Sequence, residues 1–464
     1  MNGSKNMKNR EKLRSRLGFI LLSAGCAIGV GNIWKFPMLC GENGGAAFVF
    51  FYIIFLIILG LPLMTIEFAL GRGSQESPMT MLDTLAPGKK VWPISGWFSL
   101  AGNVLLLMFY TTIAGWFIDY FIGMISGRYI STGQNVLTDS EVEAVFDSVS
   151  GNPWETLLFM AVVCIIAAVV CSFSLQGGLE RVTKWMMVLL FAILIAMAVN
   201  SCVSGDPEEG LRFYLVPDFS KVTAETVVNA MNQAFFTLSL GVGSMAIFGS
   251  YIGKERSLMG ETVRVIVLDT VVALLAGVII FPACFQYGID PAEGPGLIFK
   301  TLPVVFNNMK GGQLWGVLLF LLMSFAALST VLAVMENIVS MVRESFGWSR
   351  IKGSVICSIG LMILSVPCSL GFNVWSGFEP FAAGTNIRDL EDFLVSNIIL
   401  PIGCLTFTIF CTRKIGWGWD NFVAEANAGN GMKVKKWMKP YMSYVLPVII
   451  LVVGVVGLIT FDWK

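Results

Sequence analysis

Apolar residues fill most of this chain in stretches of roughly 20 residues, the length that a helix needs to cross a bilayer. Each stretch is continuously apolar, which is typical of membrane helices and not of barrel strands, whose residues alternate. We number the stretches as spans 1 to 11. They begin near Leu17, Ala46, Ser95, Trp154, Val182, Val227, Thr262, Gln313, Gly353, Phe393 and Tyr441. The pattern predicts an all-α integral membrane protein with about eleven transmembrane helices.

Two of the spans are interrupted by small residues. Span 1 contains Gly25, Gly29 and Gly31 within residues 24–32, and span 6 contains a similar interruption within residues 233–243. Glycine weakens a helix, and irregular backbone at mid-membrane depth is tolerated only where it lines a cavity or holds a ligand. The spacing of Gly25 and Gly29 is also that of a helix-packing motif. Because span 6 has a matching interruption, the pattern favours a binding site at the centre of the membrane.

The two interrupted spans occupy corresponding places in two five-span halves, which is the sequence signature of an inverted-repeat transporter. We therefore expect a single transporter domain over residues 1–464, in which 17–203 form the first five-helix repeat and 227–411 form the second, inverted one. Residues 441–461 would form an additional helix. In such a fold the free amides of half-helices attract an anionic group, whereas their free carbonyls bind a cation.

The composition excludes an ordinary soluble protein, because 55% of the residues are hydrophobic and only 13% are charged, with a mean hydropathy of +0.75. Basic residues concentrate in the segments on the N-terminal side of the bilayer. The positive-inside rule therefore predicts a multi-pass protein of the cell membrane, expected to be a bacterial inner membrane, with a cytoplasmic N-terminus. The chain has no histidine, which removes the commonest general base and metal ligand. We expect no enzyme activity, no bound cofactor and no nucleic-acid partner.

Four long strings carry a specific resemblance to known proteins. They are residues 16–37, which end in Gly29-Val30-Gly31-Asn32-Ile33-Trp34-Lys35-Phe36-Pro37, then Gly41-Glu42-Asn43-Gly44-Gly45, Pro62-Leu63-Met64-Thr65-Ile66-Glu67 and Phe235-Phe236-Thr237-Leu238-Ser239-Leu240-Gly241. Together they resemble the neurotransmitter:sodium symporter family, and most nearly its eleven-span bacterial members that carry hydrophobic amino acids.

The resemblance implies two sodium sites made of oxygen ligands. The first would take the Ala27 carbonyl, the Asn32 side chain, the carbonyl and hydroxyl of Thr237, the Asp269 carboxylate and the substrate carboxylate. The second would take the carbonyls of Gly25, Ile28 and Ala326 with the hydroxyls of Ser329 and Thr330. A shell of oxygens without thiolate or imidazole suits a hard cation such as sodium.

Asp269 departs from the pattern of many family members, which have an asparagine at this position. Some members also require chloride, and its ligands would fall on Tyr52, Gln233, Thr237 and Ala273, of which Ala273 offers no hydroxyl. The Asp269 carboxylate would supply the missing negative charge, so we expect transport without chloride. Since a nearby cation favours the charged form of a carboxyl group, exchange of a proton on the return step stays open.

The resemblance also implies a substrate site in which Gly29 selects the ligand class. Monoamine carriers of the family have an aspartate at this position, whereas glycine leaves room for the carboxylate of an amino acid. That carboxylate would meet the amides of Val30 and Gly31 and the Tyr110 hydroxyl, and the amine would meet the carbonyls of Ala27, Phe236 and Ser239. Leu106, Val242, Ser239, Thr330 and Val334 would surround the side chain. None of these residues is charged, so an apolar or aromatic side chain is favoured.

Gates on both sides of the site follow from the same resemblance. Lys35 and Asp392 would form an outer ion pair, and Arg10 and Glu344 would form an inner pair near Tyr251. Relatives also have a proline in span 5, ten residues after a glycine, to help that helix unwind. This chain has Val188 at that distance from Gly178, which puts the unwinding of span 5 in question.

These observations predict a sodium-coupled symporter that imports hydrophobic or aromatic L-amino acids by alternating access. Two alternatives stay open at this point. One is a proton-coupled amino-acid transporter of the same fold, for which transport would persist without sodium. The other is a membrane amino-acid sensor that binds its ligand without moving it, although the loops are short and no output domain is evident.

Overall fold

Helices occupy all eleven predicted spans in the structure, a computed structural model that describes residues 11–89, 91–204, 207–288 and 297–459. Span 1 is divided into Arg16–Ala27 and Gly31–Glu42, and span 6 into Ala224–Thr237 and Ser244–Gly249. The other spans are Ala46–Ser74, Ile94–Ser126, Pro153–Ser172, Gln176–Val203, Leu258–Tyr287, Gly312–Phe346, Arg350–Leu370, Ile387–Thr412 and Met438–Ile459. Among the described helices, nine are long and apolar enough to cross a bilayer singly, and the bent pair of span 1 is a tenth candidate.

Short helices connect several of the spans. They are Met81–Leu85, Asp139–Gly151, Pro207–Leu215, Phe219–Lys221, Leu302–Asn308 and Trp419–Ala426. Asp139–Gly151 begins with a capping box, in which the Thr138 side chain accepts from the Glu141 N–H while the Glu141 side chain accepts from the Thr138 N–H. The described residues contain isolated β-bridges but no strand, so the chain is all-helical, as predicted.

Five turns of the helices are widened to π-helical geometry shortly before a proline. The segments Gly31–Lys35, Leu56–Gly60, Leu297–Thr301, Leu394–Ile399 and Tyr441–Val445 are followed two residues later by Pro37, Pro62, Pro303, Pro401 and Pro447. Proline has no N–H to donate, and its ring clashes with the carbonyl four residues earlier. A wider turn relieves that clash and keeps the helix intact.

Span 5 is continuous at Val188. A π-helical turn at Gln176–Glu180 leads into the helix Arg181–Ser204, and that helix runs through Val188. Gly178 packs tightly in this turn, because a Cβ atom there would lie 2.5 Å from the Val170 carbonyl oxygen. The structure therefore shows a widened turn at Gly178 and an α-helix around Val188.

Spans 3 and 8 form the centre of the bundle. In the most apolar segment of each of these two spans, 72% of the residues are buried. In the corresponding segments of spans 4, 5, 9 and 11, at most 39% are buried. Spans 3 and 8 pack along each other, and span 9 packs against span 4 at the periphery. The division of the chain into repeats 17–203 and 227–411 with an additional helix at 441–461 stays a prediction.

Candidate functional site

The break in span 1 leaves backbone groups that pair with polar side chains. The first helical part ends at Ala27, the second begins at Gly31, and the two parts meet at an angle of 59°. The Gly29 N–H donates to the Asn32 side-chain oxygen at 3.1 Å, and the Val30 N–H donates to the Tyr110 hydroxyl at 3.0 Å. The break therefore joins span 1 directly to the central span 3.

A fully buried carboxylate, Asp269 of span 7, connects three other spans near this break. The Asn32 amide nitrogen donates to Asp269 Oδ1 at 2.8 Å, and the Thr237 hydroxyl donates to Oδ2 at 3.3 Å. The Tyr52 hydroxyl also donates to Oδ2, at 3.5 Å. Three of the side chains predicted for the first sodium site, those of Asn32, Thr237 and Asp269, therefore lie together in the structure.

A second cluster of oxygens joins span 1 to span 8. The Thr330 hydroxyl lies 3.5 Å from the Gly25 carbonyl oxygen and 3.3 Å from the Ala326 carbonyl oxygen. The Ser329 hydroxyl donates to the same Ala326 carbonyl at 2.9 Å. Ile28 ends the first part of span 1 with an extended ψ of 101°, so its carbonyl leaves the helical direction. Four of the residues predicted for the second sodium site are in mutual contact.

Both oxygen clusters fit a monovalent hard cation. Their ligands are carbonyls, hydroxyls and one amide, and Asp269 is the one carboxylate among the predicted ligands. Within the described part of the chain, no group of three or more His, Cys, Asp and Glu side chains could hold a metal ion. Divalent calcium is normally bound by several carboxylates. The weakly charged oxygen shells therefore suit sodium better than a divalent ion.

A small cavity lies between the two broken helices. It is lined by Cys26, Ala27, Gly29, Gly31, Asn32, Leu106, Tyr110, Phe236, Thr237, Ser239, Val242, Thr330, Val395 and Leu400. Polar groups of span 1, Tyr110 and Thr237 meet apolar side chains of spans 3, 6 and 10 across the cavity. None of the lining side chains is charged. The lining therefore presents polar groups at one end and apolar side chains at the other, which suits a ligand of matching character.

Most of the predicted substrate residues lie at this cavity, but Val30 and Val334 do not line it. Val334 is fully buried in span 8, four residues after Thr330 and therefore about 6 Å further along the helix axis. Cys26, Val395 and Leu400 line the cavity without having been predicted. Val395 lies within the widened turn before Pro401, and Leu400 directly follows that turn; no pattern in the sequence marked this wall.

The break in span 6 is longer and is stabilised by fixed side chains. The backbone φ is positive at Ser239, Gly241 and Gly243, with +100° at Gly241, and such angles favour glycine. The buried Glu67 carboxylate accepts from the Gly241 N–H at 2.5 Å and from the Met245 N–H at 3.2 Å. Glu67 therefore pairs backbone donors that the break removes from helical hydrogen bonding.

A carbonyl in the same break is paired by span 3. The Asn103 side-chain nitrogen donates to the Val242 carbonyl at 2.9 Å, and the Asn103 oxygen accepts from the Asn337 amide at 3.0 Å. The Ser244 hydroxyl donates to the same Asn103 oxygen at 3.3 Å. The polar groups of the span 6 break are therefore held by spans 2, 3 and 8.

At the outer end, the predicted pair of Lys35 and Asp392 is not within ion-pair distance. The Lys35 amine lies over the Phe236 ring, 4.4 Å from its centroid. Asp392 instead pairs with Arg388, one helical turn earlier, at 3.6 Å, and accepts from the Ser396 hydroxyl at 2.8 Å. In this structure a guanidinium on the same helix pairs with Asp392, while the Lys35 ammonium group makes a cation–π contact, and the outer gate pair stays a prediction.

At the other end, Glu344 and Tyr251 take part in separate networks. Glu344 accepts from the Ser77 N–H at 2.9 Å and from the Thr80 hydroxyl at 3.2 Å. The predicted partner Arg10 lies outside the described residues. The Tyr251 hydroxyl donates to Glu336 at 2.9 Å. Glu344 therefore joins span 8 to the segment after span 2, whereas Tyr251 contacts span 8 closer to the site.

The segment before span 1 covers this end of the bundle. The Arg14 N–H donates to Glu180 at 2.9 Å, and the Leu13 N–H donates to the Tyr251 carbonyl at 3.3 Å. These contacts therefore attach the N-terminal segment to span 5 and to the residues that follow span 6.

A bundle of membrane-spanning helices in which two broken helices face a central cavity has the architecture of a secondary transporter. The sequence profile of the Sodium:neurotransmitter symporter family matches residues 10–148 and 139–464. The chain therefore belongs to the sodium:neurotransmitter symporter family. It is a sodium-dependent, multi-pass membrane transporter and not an enzyme.

Individual relatives agree with this assignment over nearly the whole chain. The uncharacterized sodium-dependent transporter YhdH of Bacillus subtilis is 34% identical over 451 residues, which cover 96% of this chain and 98% of YhdH. An uncharacterized sodium-dependent transporter of Haemophilus influenzae is 33% identical over 465 residues, covering 98% and 99%. The crystal structure of MhsT in complex with L-phenylalanine matches with a TM-score of 0.85 and 36% identity, over 97% of this chain and 100% of that one.

Proposed function

We propose that this protein is a sodium-coupled symporter that imports an apolar or aromatic L-amino acid by alternating access. The observation that carries the proposal is the uncharged cavity between the breaks of spans 1 and 6. A zwitterionic amino acid needs donors for its carboxylate and acceptors for its amine, and an apolar side chain needs a wall without charge. This cavity offers both within one small volume.

The substrate would lie with its carboxylate at the break of span 1. The Gly29 position is narrow, because a Cβ atom there would be 2.5 Å from the Tyr110 hydroxyl oxygen. The Tyr110 hydroxyl already accepts from Val30, so its own proton is available to a carboxylate. Carbonyls of Ala27, Phe236 and Ser239 would accept from the amine. The similarity to MhsT, solved in complex with L-phenylalanine, supports an aromatic side chain in the apolar part.

Sodium would bind at the two oxygen clusters. At the first, the ion would lie among Asn32, Thr237, Asp269, the Ala27 carbonyl and the substrate carboxylate, so substrate and ion would stabilise each other's binding. At the second, the ion would join Gly25, Ile28 and Ala326 to the hydroxyls of Ser329 and Thr330. This second ion would hold the two parts of span 1 against span 8, which is a physical link between sodium binding and the conformation of the broken helix.

Asp269 supports transport that does not require chloride. The hydroxyls of Tyr52 and Thr237 donate to its carboxylate at 3.5 Å and 3.3 Å, whereas Ala273 provides no donor. A fixed anion therefore already occupies the place towards which these donors point. It would balance the charge of a nearby sodium ion without a mobile anion.

The proposed membrane orientation places the N-terminus in the cytoplasm, in a cell membrane such as a bacterial inner membrane. The support is the concentration of basic residues on the N-terminal side of the spans. In this orientation the N-terminal segment that contacts Glu180 and Tyr251 closes the cytoplasmic path, and Phe236 with Lys35 lies on the external side of the cavity. Two inverted repeats would supply the two broken helices.

A competition panel tests the substrate class. Binding of radiolabelled L-phenylalanine to the purified protein is measured against each of the twenty amino acids, in sodium medium with chloride or gluconate. We expect aromatic and large aliphatic amino acids to compete in both media, and acidic or basic ones to fail. Equal competition by charged amino acids would contradict the substrate class, and binding in potassium medium would favour a proton-coupled transporter.

Substitution of Asp269 tests the role of its charge. Asp269→Asn removes the fixed anion while keeping a side chain of the same size, so uptake in gluconate medium should fall about tenfold, equivalent to about 1.4 kcal/mol. Chloride should restore part of the uptake. Asp218→Asn, at an exposed loop position, is the matched control. Uptake by Asp269→Asn that equals the wild-type value in both media would remove Asp269 from the mechanism.

A further inference from the structure

A second charged pocket lies at the end of the bundle where the chain begins, away from the central cavity. We call it the arginine pocket. It is lined by Arg16, Arg256, Gly260, Glu261, Val263, Arg264, Asn430, Gly431 and Met432. These residues come from the start of span 1, the start of span 7 and the segments before spans 7 and 11. None of these residues belongs to the proposed sodium or substrate sites.

Three arginines and a single carboxylate line the arginine pocket. Glu261 is 1% exposed and binds Arg16 at 2.8 Å and Arg264 at 2.9 Å. These two arginines use only part of their N–H groups on Glu261. The side chain of the third, Arg256, has no hydrogen-bond or ion-pair partner among the described residues. The lining residues therefore carry a surplus of positive charge, and several N–H donors remain available to an anion.

Apolar side chains that face outwards continue from the arginine pocket along the spans. Leu17, next to Arg16, is 52% exposed, and Val267, one turn after Arg264, is also 52% exposed. Both lie within membrane spans, so their exposed surfaces contact lipid chains. The side chains of Arg16 and Arg264 are 39% and 47% exposed. The pocket therefore lies at the level where lipid headgroups meet the hydrocarbon.

We propose that the arginine pocket binds the phosphate of an anionic phospholipid whose acyl chains lie along Leu17 and Val267. Guanidinium groups bind phosphate oxygens through paired N–H donors. Basic pockets between membrane helices are suited to lipid headgroups because the lipid chains keep the phosphate at the correct depth. Glu261 does not oppose this binding, because Arg16 and Arg264 already neutralise its carboxylate.

A bound phosphate would connect the start of span 1 with span 7. Arg16 is the first residue of span 1, and Arg264 lies in the second turn of span 7. A phosphate that contacts both side chains favours the conformation in which the first part of span 1 lies against span 7. A ligand stabilises the state that it binds better, so this lipid would favour the state in which this end of span 1 is packed.

Lipid retention measures the proposed site directly and does not depend on transport. The purified protein is exchanged from liposomes of equal parts phosphatidylglycerol and phosphatidylcholine into detergent, and the retained lipid is counted by native mass spectrometry. We expect phosphatidylglycerol to be retained preferentially. The double variant Arg256→Gln/Arg264→Gln should retain about thirtyfold less, since two basic residues near the headgroups are removed.

The matched control removes two charges from the same end of the bundle. Arg181→Gln/Lys352→Gln changes residues at the starts of two other helices, Arg181–Ser204 and Arg350–Leu370, and should retain phosphatidylglycerol as the wild type does. The single variant Arg256→Gln keeps both contacts to Glu261 and should still lose retention. Equal loss in the control, or equal retention of phosphatidylcholine, would overturn the proposal.

A competition arm separates a lipid from free phosphate. Inorganic phosphate is added at a large excess over the lipid before the detergent-exchanged protein is weighed. We expect the phosphatidylglycerol to remain, because its chains add contacts that free phosphate lacks. Displacement of the lipid by inorganic phosphate, together with phosphate binding to lipid-free protein, would identify a soluble-anion site instead and overturn the lipid proposal.

Discussion

The breaks in spans 1 and 6 both remove backbone groups from helical hydrogen bonding, but different partners face those groups in the two spans. In span 6, the free N–H groups of Gly241 and Met245 bind the Glu67 carboxylate, and the Val242 carbonyl binds Asn103. In span 1, the carbonyls near Gly25 and the amides near Gly29 face hydroxyl groups and the cavity. The span 6 break is paired by a carboxylate and an amide of neighbouring spans, whereas the span 1 break is paired by Asn32 and Tyr110 and borders the proposed ligand sites.

This difference separates the roles of the two broken helices. Buried polar groups must be paired, and leaving one unpaired costs about 1 to 3 kcal/mol. Glu67 and Asn103 pair the groups of span 6 whether or not a ligand is present. In span 1 the Gly29 and Val30 N–H groups pair with Asn32 and Tyr110, and in the proposed function the free carbonyls gain sodium and the substrate as partners. Span 1 should therefore respond to ligands, while span 6 provides a fixed wall.

The largest expected effect comes from removing the partner of span 6. Glu67→Ala leaves the Gly241 and Met245 N–H groups unpaired, so the free energy of unfolding should fall by about 3 kcal/mol. SDS titration in mixed micelles, followed by tryptophan fluorescence, measures this change. Glu67→Gln keeps one acceptor oxygen and should lose about half as much, and Glu225→Gln, at an exposed position, should lose none. Stability of Glu67→Ala equal to that of wild type would remove the distinction between the breaks.

The second largest effect is expected from filling the space beside Gly29 at the break of span 1. In Gly29→Ala the new Cβ atom would lie 2.5 Å from the Tyr110 hydroxyl oxygen, within the volume proposed for the substrate carboxylate. L-Phenylalanine affinity should fall about a hundredfold, equivalent to about 2.8 kcal/mol, as measured by equilibrium binding of the radiolabelled amino acid. Gly31→Ala is the control, because its Cβ would be 3.4 Å from the Phe236 ring. Equal losses in both variants would indicate a general effect on the helix.

The smallest of these effects concerns a single sodium ligand. Thr330→Val removes the hydroxyl that lies 3.5 Å from the Gly25 carbonyl and keeps the shape of the side chain. The sodium concentration for half-maximal L-phenylalanine binding should rise about tenfold, or about 1.4 kcal/mol. Ser324→Ala, whose hydroxyl binds only Phe320 of the same helix, should leave it unchanged. An unchanged sodium requirement in Thr330→Val would exclude this hydroxyl as a ligand.

The fold was predictable because hydrophobicity and backbone pairing act over whole segments. Eleven apolar stretches predicted eleven helices, and the glycines of spans 1 and 6 predicted the two breaks. Oxygen ligands were also predictable, because Asn32, Thr237 and Asp269 stand in or near strings that resemble a known family. The structure places the Asn32 amide at 2.8 Å and the Thr237 hydroxyl at 3.3 Å from the Asp269 carboxylate.

The sequence did not predict which of several nearby partners a side chain would contact. Asp392 pairs with Arg388 because this guanidinium lies one turn away on the same helix, and Lys35 contacts an aromatic ring instead. Val395 and Leu400 line the cavity because the widened turn before Pro401 rotates that part of span 10. Such outcomes depend on small differences in distance and rotation that a pattern of residue types does not contain.

Gradient-driven uptake tests the central claim most directly, namely that the span 1 break couples sodium to an amino acid. Purified protein is reconstituted in proteoliposomes, and uptake of radiolabelled L-phenylalanine is followed under an inward sodium gradient with gluconate as the anion. We expect L-phenylalanine to accumulate transiently above equilibrium with the wild type and not with Gly29→Ala. Binding without accumulation would indicate a sensor. Accumulation driven by a pH gradient in potassium medium would indicate proton coupling. Either result would contradict sodium-coupled import.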